Sequence, residues 1–280
     1  MFTHLDHLIV AVDDLEAAAK NYQTLFGMTP VWSGEHKELG TSNALFAFKN
    51  TYFELLSATG EGLGADLVNH YLNQSGEGLI GIVFATDDIK KAKSSLEEQG
   101  FNMPDISSGE GINSSDQQVR RWKNLFLPPE LSRGLFSFII EHTEGALPSP
   151  MAYEPSSPHS LDHVVINTND ADSFIDIYKD AFGIRLALDK TIEHWKKRML
   201  FFRLSKTTIE VIEEQNDQET ADTLWGLAWN VASIEETHKR LLGEGVDITP
   251  IKKGIKDKTL VATINSHTHN VPTLLIEHLD

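Results

Sequence analysis

Short apolar runs, each followed by acids and closed by glycine, set the pattern of this chain. In "LDHLIVAVDDLEAAAKNYQTLFGM" the run from Leu8 to Val12 predicts a buried strand. Asp13 or Asp14 can then accept hydrogen bonds from the free amides of a first helical turn. Leu15, Ala18, Ala19, Tyr22 and Phe26 recur at helical spacing, and Gly27 suits the stop. "GIVFATDDIKKAKSSLEEQGF" repeats the order: strand, Asp87 and Asp88, helix, Gly100. Strand-like segments follow each helix: "ALFAF" and "YFELL", then "VRRWKNLFL" and "LFSFIIEH". The predicted unit is βαβββ.

The pattern returns at larger scale. "LDHLIVAVDD" from Leu5 matches "LDHVVINTND" from Leu161, so His7 and His163 stand 156 residues apart. The same spacing carries Asp14 to Asp170, Tyr22 to Tyr178, Gly27 to Gly183 and Glu54 to Glu210. Further along, Gly81 pairs with Gly226, and "FIIEH" ending at His142 resembles "LLIEH" ending at His278. The chain reads as two domains, residues 1–145 and 161–280, each of two βαβββ modules. Residues 146–160, rich in Pro and Ser, read as an extended linker. The expected fold class is α+β, with cupped mixed sheets flanked by helices.

One residue breaks the apolar pattern. Glu54 lies inside "TYFELLS", among residues of a buried strand, and an unpartnered buried carboxylate costs several kcal/mol. Alternation puts Tyr52, Glu54 and Leu56 on one face, with Leu5, His7, Ile9 and Ala11 on one face of the first strand. Ile139 and Glu141 are expected to share a third such face, which leaves His142 facing away. If these faces line one cup, an imidazole and two carboxylates converge. Without a metal, Glu54 and Glu141 would be protonated or paired with an arginine.

Composition narrows the function classes. The net charge of -17 argues against nucleic acid and anionic membrane surfaces as partners. The absence of cysteine excludes disulfides, thiolate metal sites and a thiol nucleophile. The acidic start "MFTHLDHLIVAVDD" is unlike a signal peptide, and no apolar run is long enough to span a bilayer, so a cytoplasmic protein is expected. "GEGLGADL" and "SGEGI" are Gly-rich but lack a phosphate-loop context and read as surface loops. The acidic run from Glu213 to Asp222 reads as a solvated connection.

Paired βαβββ modules with "DHxxxxV" on the first strand and a glutamate on the fourth resemble the vicinal oxygen chelate superfamily. That group includes glyoxalase I, extradiol dioxygenases and bleomycin-binding proteins. "GEHKELGTSNALFAFKNTYFELL", from Gly34 to Leu56, is more specifically similar to the glyoxalase-like domain family. The resemblance implies a cup around a divalent metal, Zn, Mn, Fe or Ni, and no organic cofactor. It implies His7, Glu54 and Glu141 as metal ligands, with a second, weaker set of His163, Glu210 and Glu277. Gly81 and Gly226 stand where such proteins carry another ligand, commonly a second histidine.

The expected activity is metal-dependent lyase or isomerase chemistry on a small carbonyl or enolisable compound, with Glu54 and Glu141 as catalytic carboxylates. Dioxygenase chemistry is disfavoured for want of the second histidine. The alternative is a metal-free protein that binds or sequesters a small molecule. His36, Asn43, Arg121 and Trp122 are the substrate-binding candidates: arginine grips anions bidentately, and tryptophan covers apolar groups. His36 is also a surface-loop residue on its sequence context, or a substitute for the ligand that Gly81 lacks. His194 and Trp195 are candidates to compensate in the second half. A homodimer is left open as the assembly.

Overall fold

The structure is a computed structural model that describes residues 1–149, 153–193, 195–214 and 222–279. The first half runs β1 (His4–Ala11), α1 (Leu15–Phe26), β2 (Trp32–His36), β3 (Thr41–Ala47), β4 (Tyr52–Ala58) and α2 (Leu63–Ser75). It continues with β5 (Gly78–Ala85), α3 (Ile89–Glu98), β6 (Ser107–Asn113), β7 (Val119–Phe126), α4 (Pro129–Ser132) and β8 (Phe136–Glu144). Asp14 and Asp88 cap α1 and α3, accepting from the amides of Ala17 and Lys91. Gly27 closes α1 at a φ of 64°, a left-handed turn that glycine adopts without strain.

These strands close into a barrel in the order β1-β4-β3-β2-β6-β7-β8-β5. The seam is the β2–β6 pair, where Gly34 faces Asn113 and Glu35 faces Ile112. Gly34 permits it: a Cβ there would stand 2.6 Å from Trp32 Nε1 and 2.8 Å from the Ile112 carbonyl oxygen. The "SGEGI" segment is therefore not a surface loop but part of β6. "GEGLGADL" likewise leads into α2, an addition to the βαβββ pattern. α2 packs Val68, Tyr71 and Leu72 on Ile9, Ala11 and Leu56, covering the apolar end of the barrel interior.

The second half repeats the order of strands and of the first helix in each module, without counterparts of α2 and α4 among the described residues. β9 (Pro158–Thr168) is followed by α5 (Ala171–Ile175), which runs on as a π-helical turn, and by β10 (Arg185–Ile192), β11 (Lys197–Leu204) and β12 (Thr207–Glu213). Then come β13 (Thr223–Val231), α6 (Ile234–Gly243), β14 (Lys252–Lys253), β15 (Thr259–Ile264) and β16 (Thr273–His278). The registers repeat as well: Ile9 faces Gly81 in the first half, and Val165 faces Gly226 in the second. This sheet stays open, in the order β10-β11-β12-β9-β13-β16-β15-β14. β14 is two residues long, too short to reproduce the β6 seam. β9 begins at Pro158, inside the segment read as linker, and residues 150–152 of that segment lie outside the described residues.

One apolar core serves both halves. Trp229 of β13 packs at a tilt against Phe48, with ring centroids 4.2 Å apart, and meets Phe26 of α1 edge-on at 5.2 Å. Arg240 of α6 donates to the carbonyls of Thr24, Leu25 and Ser156. Arg133 pairs with Asp222 through Nε to Oδ2 at 2.6 Å and Nη2 to Oδ1 at 3.2 Å, both residues buried. Asp222 is thus not a solvated residue, and residues 215–221 of the acidic run lie outside the described residues. No helix among the described residues is long and apolar enough to cross a membrane.

Trp229→Ala is expected to destabilise the fold by about 3–5 kcal/mol. Because the core is shared, the wild-type halves should unfold together in urea followed by circular dichroism. Two separated wild-type transitions would contradict the shared core.

Candidate functional site

The polar end of the barrel interior is organised by a bulge. β1 pairs Leu5 with Phe84 and His7 with Val83, skipping Asp6. A bulge interrupts strict alternation, so Asp6 and His7 turn to the same side. His7 Nδ1 lies 2.6 Å from Asp6 Oδ1, and His142 Nε2 lies 2.9 Å from Asp6 Oδ2. Burial pushes the Asp6 carboxyl up, but the hydrogen bonds from His142 and His7 outweigh it and hold it well below the usual range. An ionised Asp6 assigns an N–H to each imidazole nitrogen that faces it, leaving His7 Nε2 turned toward the interior.

His7 Nε2 stands 3.3 Å from Glu54 Oε2, and Asn43 Nδ2 donates to Glu54 Oε1 at 2.7 Å. Glu54, His7 and Asn43 are each less than a tenth exposed. Next to them, Arg120 Nη2 donates to Tyr52 Oη at 3.2 Å, and that oxygen is 3.0 Å from His142 Nε2. Burial, reinforced by the charge of Asp6, pushes the Tyr52 phenol up, so its hydroxyl stays protonated at neutral pH. Arg120 lies over the rings of Trp32 and Tyr52 at 5.4 and 5.6 Å. His36 closes this side, with Nδ1 3.0 Å from Thr41 Oγ1 and its ring edge-on to Trp122. Burial lowers the basicity of His36 despite the opposing charge of Glu54.

His7, Glu54, Asn43, His36 and Trp122 therefore share the interior, but Glu141 and Arg121 do not. Glu141 Oε2 accepts from the Ile89 amide at 2.8 Å, at the start of α3, and Oε1 is 3.6 Å from Lys123 Nζ. Phe138, Ile140 and His142 are the residues of β8 that face inward, so the expected parity of this strand is off by one. Arg121 is exposed and pairs with Glu110 and Glu144, while its neighbour Arg120 points inward. Leu5 joins the helix-side core rather than the face of His7, because the bulge resets alternation. Asp6 was missed for the same reason. His142 carried a usable signal, since it recurs at His278 as faithfully as Glu141 does at Glu277.

The second half repeats the set in a looser form. His163 Nδ1 and His278 Nε2 lie 2.8 and 2.7 Å from the two oxygens of Asp162, which is again skipped in strand pairing. His163 Nε2 is 3.8 Å from Glu210 Oε2. Burial works against the charge on His163, but the hydrogen bond to Asp162 and the charge of Glu210 prevail and raise its basicity. Burial likewise raises the Glu210 carboxyl. Glu277 turns away to accept from the Ile234 amide at the start of α6. β15 has no counterpart of Arg120 or Trp122. Trp195 is partly exposed, and His194 lies outside the described residues.

The donor set was tested for a divalent ion. Among the described residues no group of three or more His, Asp or Glu side chains is arranged to hold one. In the first barrel His7 Nε2 and Glu54 Oε2 face each other, and in the second half His163 Nε2 and Glu210 Oε2 do so at 3.8 Å. A side chain at Gly81 would crowd Ile9 and Phe136, both within 3.1 Å of its Cβ position, and the Phe138 ring stands 5.9 Å from His7. As arranged, these residues fall short of the three or more protein ligands that a resident zinc site uses.

A family model described as a glyoxalase-like domain matches residues 5–182. A second, for the Glyoxalase/Bleomycin resistance protein/Dioxygenase superfamily, matches residues 160–263. An ethylmalonyl-CoA/methylmalonyl-CoA epimerase from Cereibacter sphaeroides is 30% identical over 110 residues, covering 39% of this chain and 79% of the epimerase. Among solved structures, a 4-hydroxymandelate synthase variant from Streptomyces coelicolor superposes with a TM-score of 0.68 at 15% identity, covering 99% of this chain and 92% of that one. A Mn(II)-bound glyoxalase from Novosphingobium aromaticivorans gives 0.65 at 16% identity, covering 100% and 83%. A hypothetical protein from Staphylococcus aureus gives 0.69 at 13%, covering 98% and 99%. The chain belongs to the glyoxalase-like domain family, within the vicinal oxygen chelate superfamily.

Glu141→Ala should cost about 0.5–2 kcal/mol by uncapping α3, read in urea melts, and leave ligand binding unchanged. A loss of binding without a loss of stability would return Glu141 to the site. Asp6→Asn tests the bridged carboxylate. Its depressed pKa means that its contribution is present above the unfolded carboxylate value, about 3.9, and fades as pH falls. The stability gap between wild type and Asp6→Asn should therefore narrow between about pH 5 and 2. An unchanged gap across that window would contradict an ionised Asp6.

Proposed function

We propose that this member of the glyoxalase-like domain family is an isomerase-type enzyme that moves a proton on a small carbonyl compound inside the first barrel. The observation that carries this reading is the Glu54–His7 contact, in which each group is fixed from behind. Asn43 holds one oxygen of Glu54 and Asp6 holds Nδ1 of His7, so the facing atoms are oriented toward one another at 3.3 Å. Two oriented acid–base groups on the inner face of one barrel are what proton transfer at carbon requires. The carboxylate of Glu54 takes a proton from the carbon next to the carbonyl, and the electron pair moves onto the carbonyl oxygen. Nε2 of His7, oriented through the Asp6 contact at Nδ1, is the group placed to exchange a proton at that oxygen. No oxidant or reductant is consumed: Glu54 returns a proton to carbon as the carbonyl re-forms, which regenerates its carboxylate and leaves the proton count unchanged.

Burial supports the same reading. Burial of His7, Glu54 and Asn43 strengthens each electrostatic contact among them. The second half is the poorer candidate. Its pair is 3.8 Å apart on an open sheet, and it has no Arg120 or Trp122 equivalent. The notion of a divalent metal remains as a second reading of the family resemblance, resting on His7 and Glu54 alone as protein donors.

The test is deuterium exchange from solvent into a panel of small ketones and 2-oxo acids, followed by proton NMR. Wild-type protein should accelerate exchange at the carbon next to the carbonyl, and Glu54→Gln should lower the rate by about 100-fold or more. Activity should persist after dialysis against EDTA. Exchange unaffected by Glu54→Gln would sink the proposal, and loss on chelation restored by one added metal would replace it with the second reading.

A further inference from the structure

Arg120 presents a charge that the chain does not answer. It is only 6% exposed, and its Nε has no hydrogen-bond partner. Its one polar contact is the neutral Tyr52 hydroxyl, and its two ring neighbours, Trp32 and Tyr52, are also uncharged. The other deeply buried arginine, Arg133, shows how this chain satisfies a guanidinium when the need is structural. Arg133 has both oxygens of Asp222, with Thr168 and the Asp170 carbonyl as further acceptors. Both nearby carboxylates are already engaged by others, Glu54 by Asn43 and His7, and Asp6 by two histidines. A buried cation without a counter-ion is strongly unfavourable, and the usual resolution is an anion that arrives from outside.

We infer that Arg120 receives the carboxylate of a small organic acid, so that the substrates of this barrel are monocarboxylates. The inference rests on the proton-transfer reading only for calling the ligand a substrate. The chemistry of the surroundings selects the anion. A planar guanidinium with a free Nε matches a carboxylate bidentately. A single guanidinium suits a single negative charge better than a phosphate dianion. The rings of Trp32 and Tyr52 hold the fork in place and offer flat apolar surface to the body of the acid. Asn43 Oδ1, also buried without a partner, offers an acceptor in the same interior.

The experiment is thermal melting of the full chain in formate, acetate, pyruvate and 2-oxobutanoate. Acetamide, sodium chloride of equal ionic strength and inorganic phosphate serve as comparisons. At least one carboxylate should raise the melting temperature saturably, with acetamide and chloride inert. Arg120→Met should abolish the effect, and should melt no lower than wild type without added anion, because it removes an uncompensated charge. Arg120→Lys, which keeps the charge but loses the planar fork, should weaken the apparent affinity by about tenfold. Arg121→Met, on the outer face, should respond like wild type. Carboxylates no better than chloride, protection by phosphate alone, or equal protection of the Arg120→Lys and wild-type proteins would each overturn the inference. Carboxylate protection retained in Glu54→Gln, with no isotope exchange in wild type, would instead mean that only the proton-transfer reading has failed. Exchange confined to neutral ketones would mean the reverse.

Discussion

Ions buried inside a closed barrel must be met by partners fixed in the wall, because burial strips them of solvation. The interior of the first half is arranged around that constraint. Asp6 is answered by two imidazoles, and Glu54 by an amide and an imidazole. The bulge at Asp6 makes this possible, since an unbroken strand would send Asp6 and His7 to opposite faces. Arg120 is the exception, and an exception of that kind in a closed site points to something that enters it. The polar cluster sits at one end of the barrel, while α2 and its apolar partners cover the other.

The duplication shows which features the polar cluster needs. Both halves keep the aspartate between two histidines, the glutamate opposite, and the second glutamate diverted to cap a helix. Capping is a structural role: it satisfies an amide at the positive end of the helix and leaves the carboxylate no freedom to turn inward. Only the first half adds a closing strand, an extra helix and an arginine. Closure is what gives the first cluster its leverage, because desolvation magnifies each contact. On the open second sheet the corresponding His–Glu distance is longer and its groups are wetter.

The shared core sets how the halves behave as a body. Helices from both sides pack their apolar faces into one mass centred on Trp229, Phe26 and Phe48. Backbone carbonyls at the end of α1 are satisfied by Arg240 from the other half. The half with the open sheet thus supplies core packing and hydrogen bonds to the half with the closed barrel.

Much of this was legible in the sequence. The internal repeat of 156 residues, the βαβββ order and the capping aspartates followed from periodicity and composition, because hydrophobic pattern and helix ends are local properties. The pairing of Glu54 with His7 was also within reach, since the two recur together as Glu210 and His163. Orientation was not. Whether Glu141 or His142, Arg121 or Arg120, faces the barrel depends on strand parity, and one bulge or one misplaced register inverts it. Asp6 was hidden for that reason, and the β6 seam because a glycine-rich segment carries no strand signal of its own. The sequence determined which chemical groups the chain owns and how often they repeat; tertiary structure alone decided which of them are buried together, because burial is set by pairing across distant strands and not by neighbours in the chain.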